Sequence, residues 1–65
     1  MYISDSKIKR MFKDAGALRT SAKARKEFRK YIEQHSFTVA QKAVKLAKHA
    51  SRKTVDVSDI KLAVD

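Results

Sequence analysis

The sequence predicts an all-α domain in which a long central helix stands between two short helices. The chain of 65 residues contains one glycine and no proline, so few of its residues disfavour a helix. It is rich in alanine, lysine and arginine, which are strong helix formers. Its apolar residues recur mainly at steps of three and four, the spacing of one helix face. No linker, repeat or low-complexity segment divides the chain, so residues 1–65 are expected to form a single domain.

The first helix is expected from about Asp5 to Ala15. Either Ser4 or Asp5 can serve as its N-cap, because both side chains accept hydrogen bonds from free backbone N–H groups. Gly16 stands where helices often end in the left-handed conformation. The apolar residues of this segment follow one face: Ile8, Met11, Phe12 and Ala15.

The second helix is expected from Ala22 to Ala50, with Thr20 or Ser21 as its N-cap. Nothing interrupts this segment, so the helix has about 29 residues and a length of roughly 43 Å. A compact domain of this size has a radius of gyration of only about 11 Å. The helix therefore needs cover at both ends, and an antiparallel crossing with an identical copy supplies it. This predicts an obligate two-fold dimer.

The third helix is expected to begin after Asp56, which serves as its N-cap. Asp59 occupies the capping-box position three residues later, where its carboxylate can accept from the backbone of the N-cap residue. The apolar positions of this short helix are Val57, Ile60, Leu62, Ala63 and Val64.

The charge of the chain indicates a polyanionic partner. Sixteen Lys and Arg against seven Asp and Glu give a net charge of +9. Residues 7–30 alone hold ten basic and two acidic residues. Such an excess in a small domain favours nucleic acid as the partner. Five basic residues at the start of the second helix either contact phosphates or form a solvated face, and the sequence leaves both open: Lys23, Arg25, Lys26, Arg29 and Lys30.

Several other classes of protein are disfavoured. The absence of cysteine excludes disulfides and thiolate metal sites, and two histidines are too few for a structural zinc site, so no metal or cofactor is expected. His49 has no nucleophile placed to act with it, so an enzyme is not expected. No apolar run is long enough to span a membrane, and Met1 leads into polar residues, so the protein is expected in the cytoplasm.

Three segments carry a resemblance to a known family. They are KDAGALRTS at residues 13–21, KLAKHASRKT at residues 45–54 and DIKLAV at residues 59–64. In these segments the chain resembles the archaeal histones, which have a minimal histone fold without tails. The resemblance covers essentially the whole chain. It implies an intertwined antiparallel homodimer that binds, wraps and compacts duplex DNA in association with the chromosome or nucleoid.

The resemblance also implies which residues contact DNA: Arg10, Lys13, Arg19, Lys53 and Thr54. In the family's dimer the first loop of one chain lies beside the second loop of the other, so Arg19 and Lys53 would meet on one edge. Arg19 would enter the minor groove, as histone arginines do in the wrapped octamer. None of these contacts reads bases, so binding is expected to be nearly independent of sequence, with a preference for easily bent DNA.

Two further roles follow from the resemblance. Arg52 and Asp59 would form an intrachain ion pair that holds the second loop on the third helix. Two dimers would join through a four-helix bundle, in which His49 would hydrogen-bond Asp59 of the other dimer. The positions at that interface are Leu46, His49, Asp59 and Leu62.

The resemblance is weaker at the positions through which some family members stack successive turns of wrapped protein. Gly16 is present, and Asp14 with Lys48 could form one charge pair between turns. The other two pairs of positions cannot attract each other, which argues against long filaments and leaves wrapping unaffected: Lys30 with Lys61, and Gln34 with Asp65. Leu18 replaces a residue that is usually polar, and is either surface scatter or a partner contact.

Other functions compete with DNA wrapping. A histone-fold subunit of a heteromeric transcription or repair complex is the main alternative, although the complete interface set of Leu46, His49, Asp59 and Leu62 favours self-assembly. A basic amphipathic helix could bind membrane surfaces, but the chain has no tryptophan. RNA binding stays open, yet the aromatic residues mostly occupy core positions instead of a stacking surface. Other histones are possible partners.

Overall fold

A computed structural model describes residues 2–65, which contain three helices and no strand. Helix α1 comprises Asp5–Asp14, α2 comprises Ala22–His49 and α3 comprises Val57–Val64. The predicted all-α class and the order short, long, short are confirmed. The chain forms two compact units, one ending at Gln34 and one beginning at His35, and α2 contributes residues to both. That the 65 residues act as one domain stays a prediction.

Helix α1 begins at the predicted residue and ends at Asp14, one residue before the predicted end, with Gly16 following as predicted. Ser4, one of the two candidate N-caps, accepts a hydrogen bond at its Oγ from the N–H of Lys7 at 3.4 Å. Gly16 has φ of +106°, a conformation that side chains rarely adopt. Its N–H donates to the carbonyl of Lys13 at 3.0 Å, and the next N–H, of Ala17, reaches Phe12 at 2.9 Å. These two bonds form a Schellman motif, which satisfies the last carbonyls of the helix.

The core of the first unit lies between α1 and the first half of α2. Ile8 is fully buried, and the rings of Phe12 and Phe28 pack with centroids 4.7 Å apart. Glu33 of α2 accepts hydrogen bonds from the backbone N–H groups of Tyr2 and Ile3. These contacts hold the segment before α1 against α2. They also lower the pKa of Glu33, chiefly through the N–H of Ile3 and then that of Tyr2.

Helix α2 begins after Ser21, whose Oγ accepts from the N–H of Ala24 at 3.1 Å. Of the two candidate caps, Ser21 therefore fills the position. The helix ends at His49, one residue before the predicted end. The next residues form a second Schellman motif, in which Ser51 has φ of +60° and the N–H of Arg52 donates to the carbonyl of Ala47 at 2.9 Å.

The second unit has a small core of alanines around one buried acid. Its buried residues are Ala43, Ala47, Asp59 and Ala63. Alanines allow two helices to approach closely but remove little apolar surface from water. Most of the larger apolar side chains of this unit are at least 40% exposed: Phe37, Val44, Val55, Val57, Ile60, Leu62 and Val64. Helix α3 has the predicted start, because the N–H of Asp56 donates to Asp59 Oδ2 at 2.8 Å.

None of the helices within residues 2–65 is both long enough and apolar enough to cross a bilayer.

Candidate nucleic-acid interface

A continuous basic surface runs from α1 into the first loop. Lys9, Arg10 and Lys13 are exposed on α1, and Arg19 is exposed in the loop that follows. One concave surface is lined by Lys9, Arg10 and Lys13, and an adjacent one by Lys9, Lys13 and Arg19. Three of the predicted DNA contacts, Arg10, Lys13 and Arg19, therefore share one surface. This arrangement can bind phosphates along several angstroms of a polyanion.

Lys9 belongs to this surface although the sequence reasoning did not single it out. It lines both concave surfaces, the one that includes Arg10 and the one that includes Arg19. Its position four residues before Lys13, on the same helix face, was the signal that could have identified it.

Arg10 remains available for binding despite a neighbouring acid. Its Nε lies 4.0 Å from Asp14 Oδ2, one helical turn away, and both side chains are mostly exposed. An exposed pair of this kind contributes between about 0 and 1 kcal/mol, which a phosphate can readily replace.

Arg25 stabilises the first loop and does not contribute to the exposed basic surface. Only 15% of its side chain is exposed, and its Nε donates to Asp5 Oδ1 at 3.1 Å. Its Nη1 donates to the carbonyl oxygen of Thr20 at 2.7 Å and to the Thr20 hydroxyl at 3.3 Å. Arg25 therefore joins the start of α1, the end of the loop and the start of α2. The sequence left open whether Arg25 contacts phosphates or lies on a solvated face of the helix. The structure supports neither alternative.

Arg52 organises the second loop in a similar way. Its Nη2 donates to Asp59 Oδ1 at 2.7 Å and its Nη1 to Asp59 Oδ2 at 2.8 Å, so the two residues expected to pair are joined by a bidentate contact. The same Nη1 reaches the carbonyl oxygen of Thr54 at 3.1 Å and Asp56 Oδ2 at 3.3 Å. One guanidinium thus connects the loop to the start of α3.

The buried carboxylate of Asp59 is strongly held. It is 2% exposed, and no buried polar side-chain atom among the described residues lacks a hydrogen bond. The hydrogen bond from Arg52, followed by that from the Asp56 N–H, lowers the pKa of Asp59 from its usual 3.8 to about 2. The same pair raises the pKa of Arg52. Asp59 is therefore ionised throughout the neutral range.

Lys53 and Thr54 stand exposed beside this organised loop. Within residues 2–65, no carboxylate forms an ion pair with Lys53. Because Arg52 already engages the carbonyl of Thr54, the loop presents the Lys53 ammonium and the Thr54 hydroxyl from a fixed backbone. These are groups that commonly bind phosphate.

The positions predicted to join two dimers lie together in the second unit. Leu46, His49 and Leu62 line one groove together with Lys42, Lys45 and Ala63. Asp59 is not among the lining residues, and three of its roughly four acceptor sites are taken by Arg52 and the Asp56 N–H. A hydrogen bond to His49 of another dimer would have to use the remaining site on Oδ1, and it stays a prediction.

The stacking positions are all on the surface. Asp14, Gly16 and Lys48 are exposed, as are the residues at the two mismatched pairs of positions, Lys30 with Lys61 and Gln34 with Asp65. Asp14 has Arg10 as its neighbour within the chain. Contact between Asp14 and Lys48 of different copies stays a prediction. Among the described residues, no group of three or more acidic, histidine or cysteine side chains could hold a metal ion.

Comparison with known proteins gives one consistent result. A family model described as histone-like transcription factor (CBF/NF-Y) and archaeal histone matches residues 2–64. The chain is 44% identical over 57 residues to a subunit of the archaeal histone HAN1 of Thermococcus zilligii, covering 88% of this chain and 85% of that protein. It is 49% identical over 55 residues to probable archaeal histone 3 of Methanocaldococcus jannaschii, covering 85% and 82%.

Proposed function

The chain belongs to the family of histone-like transcription factors (CBF/NF-Y) and archaeal histones, and from this premise we propose that it wraps and compacts duplex DNA without reading its sequence. As a member of this family it is an architectural DNA-binding protein of chromatin and not an enzyme. In the proposal, dimers bind along the chromosome and assemble into tetramers or larger multimers. The observation that carries the proposal is the continuous basic surface of Lys9, Arg10, Lys13 and Arg19.

The proposed mechanism is neutralisation of phosphates by fixed cations. Arg10, Lys13 and Arg19 of one chain would bind together with Lys53 and Thr54 of its partner. All five of these residues are exposed. The loops that present Arg19, Lys53 and Thr54 are held by Arg25 and Arg52, so few conformations are lost when DNA binds. Such contacts release counterions and read no base edges, which makes affinity salt-dependent and specificity low.

A second copy of the chain is the proposed cover for the exposed apolar residues. Ile8 is the only large side chain that is less than 2% exposed among the described residues. By contrast, Tyr31 is 64% exposed, Val57 70% and Leu62 63%. A single chain of this size rarely buries enough apolar surface to be stable alone. A two-fold dimer in which each chain covers the other resolves this deficit.

Assembly of dimers into larger particles is proposed to use the groove of Leu46, His49 and Leu62. The leucines and the histidine that line it suit a self-complementary contact. His49→Ala is expected to shorten the DNA protected by the protein while leaving the binding of a single dimer intact. Nuclease protection that does not change in this variant would contradict the proposed interface.

The experiment that tests wrapping is micrococcal-nuclease digestion of relaxed plasmid reconstituted with this protein alone at moderate salt. A ladder of protected fragments growing in regular steps is expected from wrapping by joined dimers. A protein that shifts DNA in a gel but gives no protected fragments would bind without wrapping, and the wrapping proposal would fail.

The contact residues are tested by their salt dependence. Arg19→Ala or Lys53→Ala should weaken binding to all duplexes alike, and each substitution should reduce the slope of log affinity against log salt by about 0.9 for every phosphate that is no longer neutralised. Lys61→Ala, which removes one exposed charge outside the proposed contacts, is the matched control. Equal slopes for the three variants would exclude Arg19 and Lys53 as direct contacts.

A second candidate function is that of a subunit in a heteromeric complex. It is favoured by the description of the family, which includes transcription factors, and by the T. zilligii relative, whose name designates a subunit. The mass of the purified protein in solution separates the two candidates. A stable homodimer supports self-assembly, whereas a monomer that dimerises only with a dissimilar histone-fold protein supports the second candidate.

A further inference from the structure

The five basic residues at the start of α2 divide into two groups in the structure. Arg25 is paired with Asp5 and Thr20, and Arg29 is half-buried beside Glu33. The other three residues, Lys23, Lys26 and Lys30, are exposed, and no carboxylate within residues 2–65 forms an ion pair with any of them. We call these three residues the α2 lysine stripe.

The α2 lysine stripe faces away from α1. An α-helix advances about 100° per residue, so Lys23, Lys26 and Lys30 lie roughly 140° to 160° around the helix from Phe28. Phe28 is the residue whose ring packs on Phe12 of α1. The stripe is therefore on the side of α2 opposite to its contact with α1.

The stripe also stays open in the proposed dimer. The apolar positions of α2 in this unit are Ala24, Phe28, Tyr31 and Ile32, and they lie on the side that includes Phe28. A partner chain that covers these residues leaves the opposite side of the helix in water. Grooves on that side are lined by residues of α2 alone, with Lys26 and Lys30 in both of them.

The basic surface of α1 lies partly on the other side of this two-helix layer and partly at its flank. In α1, Ile8 and Phe12 face α2, and Arg10 and Lys13 are displaced by about 140° to 160° from Ile8, whereas Lys9 is displaced by about 100° and lies at the flank. Two packed helices have a combined thickness of roughly 20 Å. A duplex segment bound to the α1 surface cannot also lie against the stripe, so the two surfaces need separate segments.

The stripe carries an electrostatic cost in the free protein. Lys26 and Lys30 are four residues apart, a spacing at which like charges repel along a helix, and the single negative charge of Glu27 in the same groove offsets only part of the charge of the three lysines. Lys23 is in the first turn of α2, where cations are unfavourable to the helix dipole and where this helix has no acidic residue. A bound polyanion would remove both penalties, since its negative charge neutralises the lysines and interacts favourably with the positive end of the helix dipole.

From this arrangement we propose that the α2 lysine stripe binds a second segment of duplex DNA, so that the protein bridges two duplexes. The proposal rests on the function proposed above, because the first segment occupies the α1 surface. The partner is duplex DNA because three exposed cations in a row match a line of phosphates and no aromatic side chain is present among them to stack on single-stranded bases.

The test is capture of a second duplex. A biotinylated duplex, too short to fold back on itself, is immobilised and saturated with protein, and a labelled duplex of the same length is then added. Wild-type protein should retain the labelled duplex. Lys26→Gln/Lys30→Gln should retain at least about fivefold less, because two phosphates of the second segment are no longer neutralised, whereas its gel shift on one duplex changes less than about twofold.

Three comparisons separate bridging from other causes. Lys7→Gln/Lys61→Gln removes the same charge from exposed positions outside the stripe and should capture as wild type does. Lys26→Arg/Lys30→Arg should also capture normally. Glu27→Gln removes an acid that lines a groove with all three lysines of the stripe, and it should increase capture, which a merely structural role of these residues would not produce. All variants are repeated with His49→Ala, so that duplexes joined through dimer–dimer contacts are not counted.

The outcomes are distinct. Capture by Lys26→Gln/Lys30→Gln equal to that of wild type would overturn the bridging proposal. Wild-type protein that saturates the first duplex but captures no second one would overturn it too, and would leave the proposed wrapping function intact. Failure to bind even the first duplex would instead refute the proposed function itself.

Discussion

The two loops of this protein turn the chain in the same way with different residues. Each preceding helix ends in a Schellman motif whose left-handed residue is Gly16 in the first loop and Ser51 in the second. Glycine adopts this conformation without steric cost, whereas a residue with a Cβ does not. The second loop therefore needs other contacts to hold it, and it has more of them.

At each loop one arginine supports the loop backbone by a hydrogen bond, and another cation is exposed. Arg25 donates to the carbonyl of Thr20, and Arg52 donates to the carbonyl of Thr54. Each of these arginines also pairs with an aspartate on a neighbouring helix. Arg19 and Lys53 have no such partner among the described residues. The cations near the candidate nucleic-acid interface thus have two roles: some stabilise the loops, and the others remain exposed and can bind phosphate.

The two supporting arginines differ in the burial of their acid. Asp59 is 3% exposed at its side chain and accepts two hydrogen bonds from Arg52 and one from Asp56, whereas the side chain of Asp5 is 55% exposed and accepts one from Arg25. An ion pair weakens as water gains access to it. The second loop should therefore depend more on its arginine than the first loop does.

The largest effect on stability is expected from Arg52→Ala, because it leaves the buried carboxylate of Asp59 without its charged partner. The thermal midpoint should fall by at least about 5 °C at a fixed protein concentration. Lys53→Ala, at the exposed neighbouring position, should leave the midpoint nearly unchanged. Circular dichroism checks both variants, and equal midpoints would refute a stabilising role for the Arg52–Asp59 pair.

The same pair should make stability depend on pH in the acid range. The pKa of Asp59 is about 2 in the folded chain against an ordinary value of 3.8. Its contribution is complete above about pH 4 and is lost as the pH falls through about 2, because protonation then breaks the pair. The midpoint of wild type should drop more steeply between these values than that of Asp59→Asn.

Glu33 provides the control for this pH effect, because its pKa is also lowered, by the N–H groups of Ile3 and Tyr2. Glu33→Gln should remove its own share of the acid dependence and keep the share that comes from Asp59. The midpoints of Asp59→Asn and wild type could instead fall in parallel with decreasing pH while that of Glu33→Gln falls less. In that case the acid dependence comes from Glu33 in the first unit and not from Asp59.

A smaller but clear loss is expected from Arg25→Met. The substitution removes the hydrogen bonds to Thr20 and Asp5 and should cost about 2 kcal/mol of unfolding free energy. Lys26→Met, at the adjacent exposed position, should change the unfolding free energy by less than about 0.5 kcal/mol. Urea unfolding of both variants measures the difference, and a cost for Arg25→Met no larger than the control would mean that the first loop holds itself without its arginine.

The smallest effects concern the two left-handed residues, and they should have opposite signs. Gly16→Ala is expected to destabilise by about 1 to 2 kcal/mol, because φ of +106° is unfavourable for alanine although no atom lies within 4 Å of the added carbon. Ser51→Gly should stabilise by less than about 1 kcal/mol. Glycine removes the steric strain of the side chain at φ of +60°, but this gain is partly offset by the larger conformational entropy of glycine in the unfolded chain. Two effects of the same sign would contradict this comparison of the loops.

The local sequence determined the helices and most of their ends. Ser4, Gly16 and Asp59 bond to backbone groups within four residues of themselves, so these roles can be predicted without a tertiary structure. The choice between Thr20 and Ser21 as the cap of α2 could not. Both oxygens of Thr20 accept from Arg25, which leaves the capping position to Ser21.

The Arg52–Asp59 pair was predicted from family resemblance, because the two residues are close in sequence and belong to a specific motif, whereas the hydrogen bonds of Arg52 to Thr54 and Asp56 were not predicted. Arg25 and Glu33 were missed, since their partners Asp5 and Ile3 are 20 and 30 residues away. Nothing in the spacing of one helix distinguishes a lysine that remains in water from an arginine that folds back onto another segment. Sequence by itself therefore determined the helices, most of their caps and the total charge. Only the tertiary structure decided which charges are used inside the fold, because burial and pairing depend on contacts between distant segments.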